Sequence, residues 1–163
     1  MVRRRGLRAV LALLLGFMGV FVAIQPASAA VVVPAGQAGH ACSGYTDIDL
    51  AGTLYFQTCA WASWNPPSSR MWFTGHFGNT RDYAVTIDVI DIGYHINGSE
   101  RITWCPTQHN LVIPAHGVKA STDSCALART RAAVQGSIVV RDESSSGTYI
   151  TPYVLSPTLQ IQG

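Results

Sequence analysis

Histidine and cysteine have the widest chemical range among the side chains of this sequence, which contains five histidines and four cysteines. Cys105, His109 and His116 superficially resemble a metal site, with three and then six residues between them. Zinc ligands, however, normally come in pairs about two to five residues apart on a turn, and cysteine in an exported chain is usually oxidised. We therefore expect no metal and no cofactor, and we interpret the histidines as polar residues of strands and loops: His40, His76, His95, His109 and His116.

A hydrolytic site would need a nucleophile, a base and an orienting group brought together. The sequence contains no Gly-x-Ser-x-Gly elbow, no His-Glu-x-x-His motif and no paired-carboxylate motif. Asp88 and Asp91 alternate with isoleucines, which is typical of solvated strand residues. We expect a protein that is not an enzyme; a small hydrolase that uses His76 or His109 is the third of three hypotheses.

Four tryptophans could line a carbohydrate or peptide surface, because flat rings supply contact area at low entropy cost. Core packing is the ordinary role of such residues, and we expect it for most of them. Trp64 is the exception, since it precedes Asn65-Pro66-Pro67 in a stretch of strand-breaking residues. The predicted binding residues are Trp64, Pro66 and Pro67, in an exposed loop over residues 63–69.

The N-terminal residues have the composition of a secretory signal. Four arginines precede an apolar run over residues 9–24, which is followed by Pro26 and by Ala27-Ser28-Ala29, a signal-peptidase pattern. The run is shorter than the roughly 20 residues that a membrane-spanning helix needs. We predict a cleaved signal peptide over residues 1–29, a mature chain that begins at Ala30, a secreted extracellular location and no membrane association after cleavage.

Removal of the signal changes the charge of the protein. Of eleven lysines and arginines, four belong to the signal, so seven remain against nine acidic residues and the mature chain is near −2. No cluster of basic residues remains after Ala30, whereas nucleic-acid binding usually needs a basic face. We therefore expect no nucleic-acid partner. The 134 residues left when 29 are removed from 163 suit one domain with its own core.

The four cysteines lie in the mature chain, and an even number in a secreted domain indicates two disulfides. Three pairings are possible. We favour Cys42–Cys59 and Cys105–Cys125, because each bridge would close a local loop or join adjacent strands. Loops of this size are worth about 3 kcal/mol each in the chain-entropy account.

Short β-favouring runs between turns dominate the mature chain. Asn97-Gly98 separates two such runs and is a strong hairpin signal. Alternate residues are apolar at odd positions over residues 83–89 and at even positions over residues 90–96, which predicts one bulge or a strand that crosses between sheets.

Residues 30–41 are interpreted as a flexible lead-in and residues 42–163 as the β domain. Pro152 predicts an edge strand, and residues 124–133 are the one possible helix.

The strand-turn from Gly75 to Thr80, the strand over residues 83–89 and the strand that ends at Pro114 resemble small extracellular immunoglobulin-like domains of Gram-positive secreted proteins. The resemblance covers about half of the mature chain. It implies a fold and a compartment, namely an all-β, antiparallel immunoglobulin-like β-sandwich outside the cell, and it transfers no functional residue.

The function that these patterns favour is a secreted, non-catalytic module that binds a protein or cell-wall partner through loops or an edge strand. The alternative is a secreted inhibitor of an extracellular hydrolase, which would insert a rigid loop. That loop would be either residues 106–109, beside Cys105, or residues 64–69.

Overall fold

A computed structural model of the chain describes residues 29–121, 125–144 and 147–163. The predicted signal peptide therefore lies outside the described residues, apart from Ala29. Within the described residues the chain forms strands and no helix, so none of them belongs to a helix long and apolar enough to cross a membrane. The strands are β1 (Val31–Val33), β2 (Gly39–Cys42), β3 (Thr46–Asp47), β4 (Leu54–Ala62), β5 (Arg70–Asn79), β6 (Val85–Ile96), β7 (Thr103–Trp104), β8 (Gln108–Ile113), β9 (Gly117–Ala120), β10 (Ala126–Ala128), β11 (Ala132–Ser144), β12 (Gly147–Ile150), β13 (Val154–Leu155) and β14 (Leu159–Ile161).

These strands form two sheets. In the larger sheet β6 pairs with β11 at the centre, β7 and β8 pair with the free side of β6, and β12, β13 and β14 follow one another along β11. In the smaller sheet β4 pairs with β5, with β2 and β3 along β4 and with β9 and β10 along β5. All of these pairs are antiparallel.

The core lies between the two sheets, because strand alternation sends the apolar residues of both inward. Its largest members from the smaller sheet are Leu54, Phe56, Phe73 and Phe77, and those from the larger sheet include Ile87, Ile90, Ile92, Ile113, Ile138 and Leu159. One connected cluster contains all of them. The chain is therefore an all-β protein with a β-sandwich-like arrangement.

The interpretation of residues 30–41 as a flexible lead-in is wrong. Val31–Val33 forms a strand that runs parallel to β14, and the side chain of Val33 is buried in the core. Gly39–Cys42 pairs with the end of β4. Pro34, Gly36 and Gly39 suggested flexibility, but Pro34 and Gly36 occupy the connection between the two strands and Gly39 begins β2. The last strand of the chain supplies the partner for the first.

The change of parity in β6 occurs without an inserted residue. Val85 and Ile87 are buried before the change, and Ile90 and Ile92 are buried after it. The register with β8 nevertheless continues through this point, as does the register with β11 beyond it. The predicted bulge is therefore absent from the register of described residues.

Both predicted disulfides are confirmed. Cys42 and Cys59 lie opposite each other in the register of β2 and β4, so their bridge lies within the smaller sheet. Cys105 follows β7 of the larger sheet, whereas Cys125 precedes β10 of the smaller one. The second bridge therefore connects the two sheets.

Two further predictions concern the C-terminal part. The possible helix over residues 124–133 is wrong for the residues described there, because β10 and the start of β11 occupy them. The edge position that Pro152 predicted is confirmed, because β12 and β13 each pair with β11 alone among the described strands. The single strand expected over residues 149–155 is divided, however, and Pro152 lies between β12 and β13, since proline cannot donate a hydrogen bond to a neighbouring strand.

A polar cluster closes the turn that leads into β4. Asp49 Oδ2 accepts a hydrogen bond from Arg81 Nη2 at 2.7 Å and another from the hydroxyl of Thr53. The backbone amides of Thr53 and Leu54 donate to Asp49 Oδ1 at 2.8 and 3.2 Å. Burial of this side chain, which is 8% exposed, would by itself raise its pKa, but the hydrogen bonds outweigh burial and lower the pKa to about 2.

The lowered pKa of Asp49 predicts acid sensitivity. A carboxyl group whose pKa is lower in the folded chain stabilises the fold above its unfolded pKa, and the stabilisation is lost as the pH falls through the folded value. For Asp49 that window extends from about pH 4 to about pH 2 and corresponds to roughly 2 kcal/mol. Denaturant unfolding at several pH values should show this loss in the wild type. In Asp49→Asn the loss of unfolding free energy over the same window should be smaller by about that amount, and equal losses in the two proteins would contradict the prediction.

Candidate functional site

The outward face of the smaller sheet has aromatic side chains where a sheet that faces water usually has polar ones. His40 of β2 lies opposite Trp61 of β4, and Trp61 lies opposite Trp72 of β5. Three neighbouring strands therefore contribute one ring each to a single row across the sheet. We call these three residues the ring ladder.

The rings of the ladder stack on one another. The ring centroids of His40 and Trp61 are 4.5 Å apart with planes at 25°, and those of Trp61 and Trp72 are 5.9 Å apart with planes at 7°. The guanidinium of Arg70 lies 5.3 Å from the Trp72 ring centroid. Trp61 Nε1 donates a hydrogen bond to the hydroxyl of Thr74 at 2.8 Å, so the polar atom of the central ring already has a partner.

Alternation along β4 and β5 explains why these rings point outward. In β5, Met71 and Phe73 are buried in the core, and Trp72 lies between them on the opposite parity. In β4, Ala60 and Ala62 are buried on either side of Trp61. A shift of one residue would exchange the two faces, and the inward phenylalanines hold the register in place.

A second imidazole lies beside the ladder. The ring centroid of His76 is 5.8 Å from that of Trp61. Partial burial lowers the pKa of His76, and the nearby His40 lowers it further. His76 is therefore neutral at neutral pH.

The predicted binding residues lie at the same end of the smaller sheet, in the connection between β4 and β5. The side chain of Trp64 is 49% exposed, which confirms the prediction that it is a surface residue. Pro66 and Pro67 are exposed as well, and the peptide bond that joins them is cis. We call residues 63–69 the β4–β5 loop.

Hydrogen bonds hold the β4–β5 loop in one conformation. The amide of Ser68 donates to the carbonyl of Asn65 at 2.7 Å, and the amide of Asn65 donates to the hydroxyl of Ser69 at 2.9 Å. The guanidinium of Arg129 lies 5.3 Å from the Trp64 ring centroid. Arg129 also donates to three backbone carbonyls, those of Pro34, Gln37 and Ser63. The loop is therefore fixed to the rest of the domain.

The expectation that most tryptophans belong to the core is wrong. Trp61 and Trp72 are partly exposed, and Trp64 and Trp104 are about half exposed. Phenylalanine and branched aliphatic residues fill the core instead. The sequence contained an indication that Trp72 faces outward, because it alternates with the polar residues Thr74 and His76 on one face of the strand. The prediction instead followed the usual role of tryptophan in protein cores.

The structure does not assemble the metal-like set of the sequence. Cys105 is in a disulfide, so its sulfur is no free thiolate. The His116 ring lies 2.9 Å from Asp82 at an exposed position. Among the described residues, no group of three or more histidines, cysteines or carboxylates could hold a metal ion. Only part of the other proposed inhibitory loop, residues 106–109, is a loop: residues 106–107 lie in the connection between β7 and β8, and Gln108 and His109 belong to β8. The Thr107 hydroxyl donates to Asp91 at 2.7 Å.

Truncation of the exposed tryptophan should leave the fold nearly intact. Trp64→Ala removes half-exposed surface and one contact with Arg129, so we expect the free energy of unfolding to fall by no more than about 1 kcal/mol. A buried tryptophan would cost about 3–5 kcal/mol. Thermal and denaturant unfolding measure the difference, and a loss in the larger range would mean that Trp64 is part of the packed structure.

Comparison with known proteins gives no relative: no protein-family model matches the sequence, and no curated protein or solved structure shows significant similarity to the chain.

Proposed function

We propose that the mature chain is a secreted, non-catalytic, immunoglobulin-like β-sandwich module that binds a protein partner through the ring ladder and the β4–β5 loop. The observation that carries the proposal is the outward row of stacked rings. Tryptophan and arginine are enriched where proteins bind one another, and they supply a large share of the binding energy. The row has two tryptophans, and Arg70 lies beside it against Trp72, on a face that alternation exposes to water.

The geometry of the ladder favours a protein partner over a sugar. Trp61 has His40 on one side and Trp72 on the other, and Trp72 has Arg70 as a further neighbour. The rings therefore cover one another's faces and present mainly their edges to solvent. Such a surface is a rigid apolar ridge, which could fit a complementary groove on the surface of another protein.

Rigidity supports the same proposal. Arg129 fixes Trp64 and the β4–β5 loop to the domain, and the Cys42–Cys59 bridge joins two strands of the ladder two residues from His40 and Trp61. A surface that is already in its binding conformation loses little conformational entropy when it binds. Arg129 donates to carbonyl oxygens and to no described carboxylate, so its positive charge favours an acidic partner surface.

Separate observations support secretion and the immunoglobulin-like fold. The signal-like N-terminus and the two disulfides favour secretion. Two packed antiparallel sheets joined by the Cys105–Cys125 bridge favour the immunoglobulin-like description. The second candidate, a hydrolase inhibitor, is a special case in which the partner is an enzyme and the β4–β5 loop enters its active site, and the internal hydrogen bonds of that loop favour it.

A differential pull-down tests the proposal. Wild-type mature chain, Trp72→Ala, Trp64→Ala and the matched control Trp104→Ala, which changes a tryptophan of the opposite sheet, are immobilised and exposed to the medium into which the chain is secreted. We expect one protein to be retained by the wild type and by the control and to be lost, at least tenfold, from the other two variants. Retention by all four chains, or no retained protein, would contradict the proposal; inhibition of a retained hydrolase would select the second candidate.

A further inference from the structure

Two aromatic rings meet on the outer face of the larger sheet. Trp104 belongs to β7, which pairs with β6, and Tyr153 lies in the connection before β13, which pairs with β11. Their ring centroids are 6.0 Å apart with planes at 35°. Strands of a sheet are about 4.8 Å apart, so β7 and β13 are separated by roughly 14 Å. The two side chains must therefore reach toward each other across β6 and β11.

The space below Trp104 is cleared by a glycine. Gly93 of β6 lies opposite Trp104, and a Cβ atom at residue 93 would be 2.5 Å from Ile102 Cγ2 and 2.8 Å from Trp104 Cε3. The indole and the side chain of Ile102 therefore share the space that a side chain at residue 93 would take. Trp104 remains 45% exposed and Tyr153 62% exposed. Unlike the rings of the ladder, these two rings have open surface that no third ring covers in the described residues. We call this pair the platform.

A buried hydroxyl lies in the same row. Ser137 of β11 is paired with Gly93 on one side and with Leu155 on the other, so it belongs to the row that the two rings span. The residue is 0% exposed, and its hydroxyl has no hydrogen-bond partner among the residues that the structure describes. Buried polar groups nearly always have a partner, so this hydroxyl is available to a ligand atom. Because the hydroxyl is buried, a ligand atom reaches it only when side chains over this row change rotamer, which is a common change on binding.

The polar groups around the platform are uncharged or weakly acidic. The flanking outward positions contain Asp91 and His95 on β6 and Gln135 on β11. Gln135 Nε2 donates to the carbonyl of Ser156 at 3.0 Å, which leaves its oxygen as an acceptor. Neither 91–95 nor 135–139 contains a lysine or arginine. Within these two segments Asp91 supplies a carboxylate and no side chain supplies a lysine or arginine charge, so they disfavour an anionic polymer or lipid. Their amide, imidazole and hydroxyl groups favour a neutral ligand that is rich in hydroxyl groups.

We propose that the Trp104–Tyr153 platform is a binding site for neutral polysaccharide. Sugar rings have one apolar C–H face and a rim of hydroxyl groups. The apolar face would stack on the open rings, and the rim would reach Ser137, Gln135 and His95. The site is on the opposite sheet from the ring ladder, and the proposal does not depend on the protein partner proposed above.

Co-sedimentation with cellulose and chitin, and native affinity gels that contain soluble starch or xylan, test the platform with the mature chain. We expect wild type to bind at least one of these neutral polymers. Trp104→Ala and Tyr153→Ala should each weaken that binding at least tenfold, and Ser137→Ala should weaken it severalfold. The matched controls Trp64→Ala and Trp72→Ala should bind as the wild type does. Circular dichroism of each variant verifies folding. If Trp104→Ala does not fold, the polysaccharide binding of Tyr153→Ala tests the platform instead.

Three results would overturn the proposal. The first is that none of the four polymers is bound. The second is that binding survives both ring substitutions or is lost equally in Trp72→Ala. The third is that polygalacturonate, an anionic polymer, is bound more tightly than every neutral one and is released by salt. Because Trp64→Ala in the β4–β5 loop and Trp72→Ala in the ring ladder serve as controls, failure of the platform and failure of the protein-binding face give different patterns.

Discussion

Replacement of Phe73 by alanine is expected to lower the free energy of unfolding by about 3–5 kcal/mol. The side chain is 0% exposed and stacks on Tyr94 of the opposite sheet, with ring centroids 5.0 Å apart and planes at 8°. It also lies against Gly136 of β11, where a Cβ atom would be 3.2 Å from Phe73 Cδ1. Phe73 therefore fills the space between the sheets, and its removal leaves a cavity that neighbouring strands cannot close. Denaturant unfolding monitored by circular dichroism measures the loss.

Trp72→Ala is the matched control, since the two residues are adjacent in β5 and point to opposite faces. Its removal affects the stacking contacts with Trp61 and Arg70 but leaves no internal cavity. Pairs of this kind are worth about 0.5–1.5 kcal/mol, so the smaller effect should be clear. If Trp72→Ala destabilised the protein as much as Phe73→Ala, the ladder would be a structural element of the fold and a weaker candidate for binding.

Loss of either disulfide by itself should have the second largest effect. The Cys42–Cys59 bridge closes a separation of 17 residues and the Cys105–Cys125 bridge one of 20, so each should contribute about 3 kcal/mol. Domains of ordinary stability have about 5–15 kcal/mol in total, so removal of both bridges should leave a chain that is marginally folded.

Paired substitutions separate the two bridges. The double variant Cys42→Ala, Cys59→Ala should keep both sheets, because the backbone hydrogen bonds between β2 and β4 remain. Cys105→Ala with Cys125→Ala removes the covalent connection between the sheets. We expect the free energy of unfolding, measured with denaturant, to fall in both variants. The losses for the two pairs should agree within about 1 kcal/mol, since the loops are similar in length. A change below about 1 kcal/mol for either pair would contradict this account of their role.

Much of the fold followed from local patterns in the sequence. The strand class, the edge position that Pro152 indicates, the disulfide pairing and the exposure of Trp64 depend on spacing or on neighbours in the chain, and the structure confirms all of them. The first strand could not be found in this way. Its partner is Leu159–Ile161, at the other end of the chain, and a three-residue strand beside Pro34 has no local signal that separates it from a loop.

The candidate sites were less accessible to sequence reasoning for a physical reason. Alternate residues of a strand point to opposite faces, and a ring packs in the core only if its face of the sheet is the one covered by the other sheet. Contacts between residues from different sheets, such as Phe73 and Tyr94, decide which face is covered. The ladder in addition needs the register that places His40 beside Trp61. The platform depends on rings that meet from opposite sides of the larger sheet, and Ser137 becomes significant only once its burial is known.

Hydroxyl-radical footprinting of the mature chain, free and bound to the protein that it captures, tests the proposed binding face most directly. Oxidation of each tryptophan is measured separately by peptide mass spectrometry. We predict that the partner protects Trp64 and Trp72 at least severalfold and leaves Trp104 as reactive as in the free chain. Protection of Trp104 with unchanged oxidation of Trp64 and Trp72 would contradict the assignment of protein binding to the ring ladder and the β4–β5 loop.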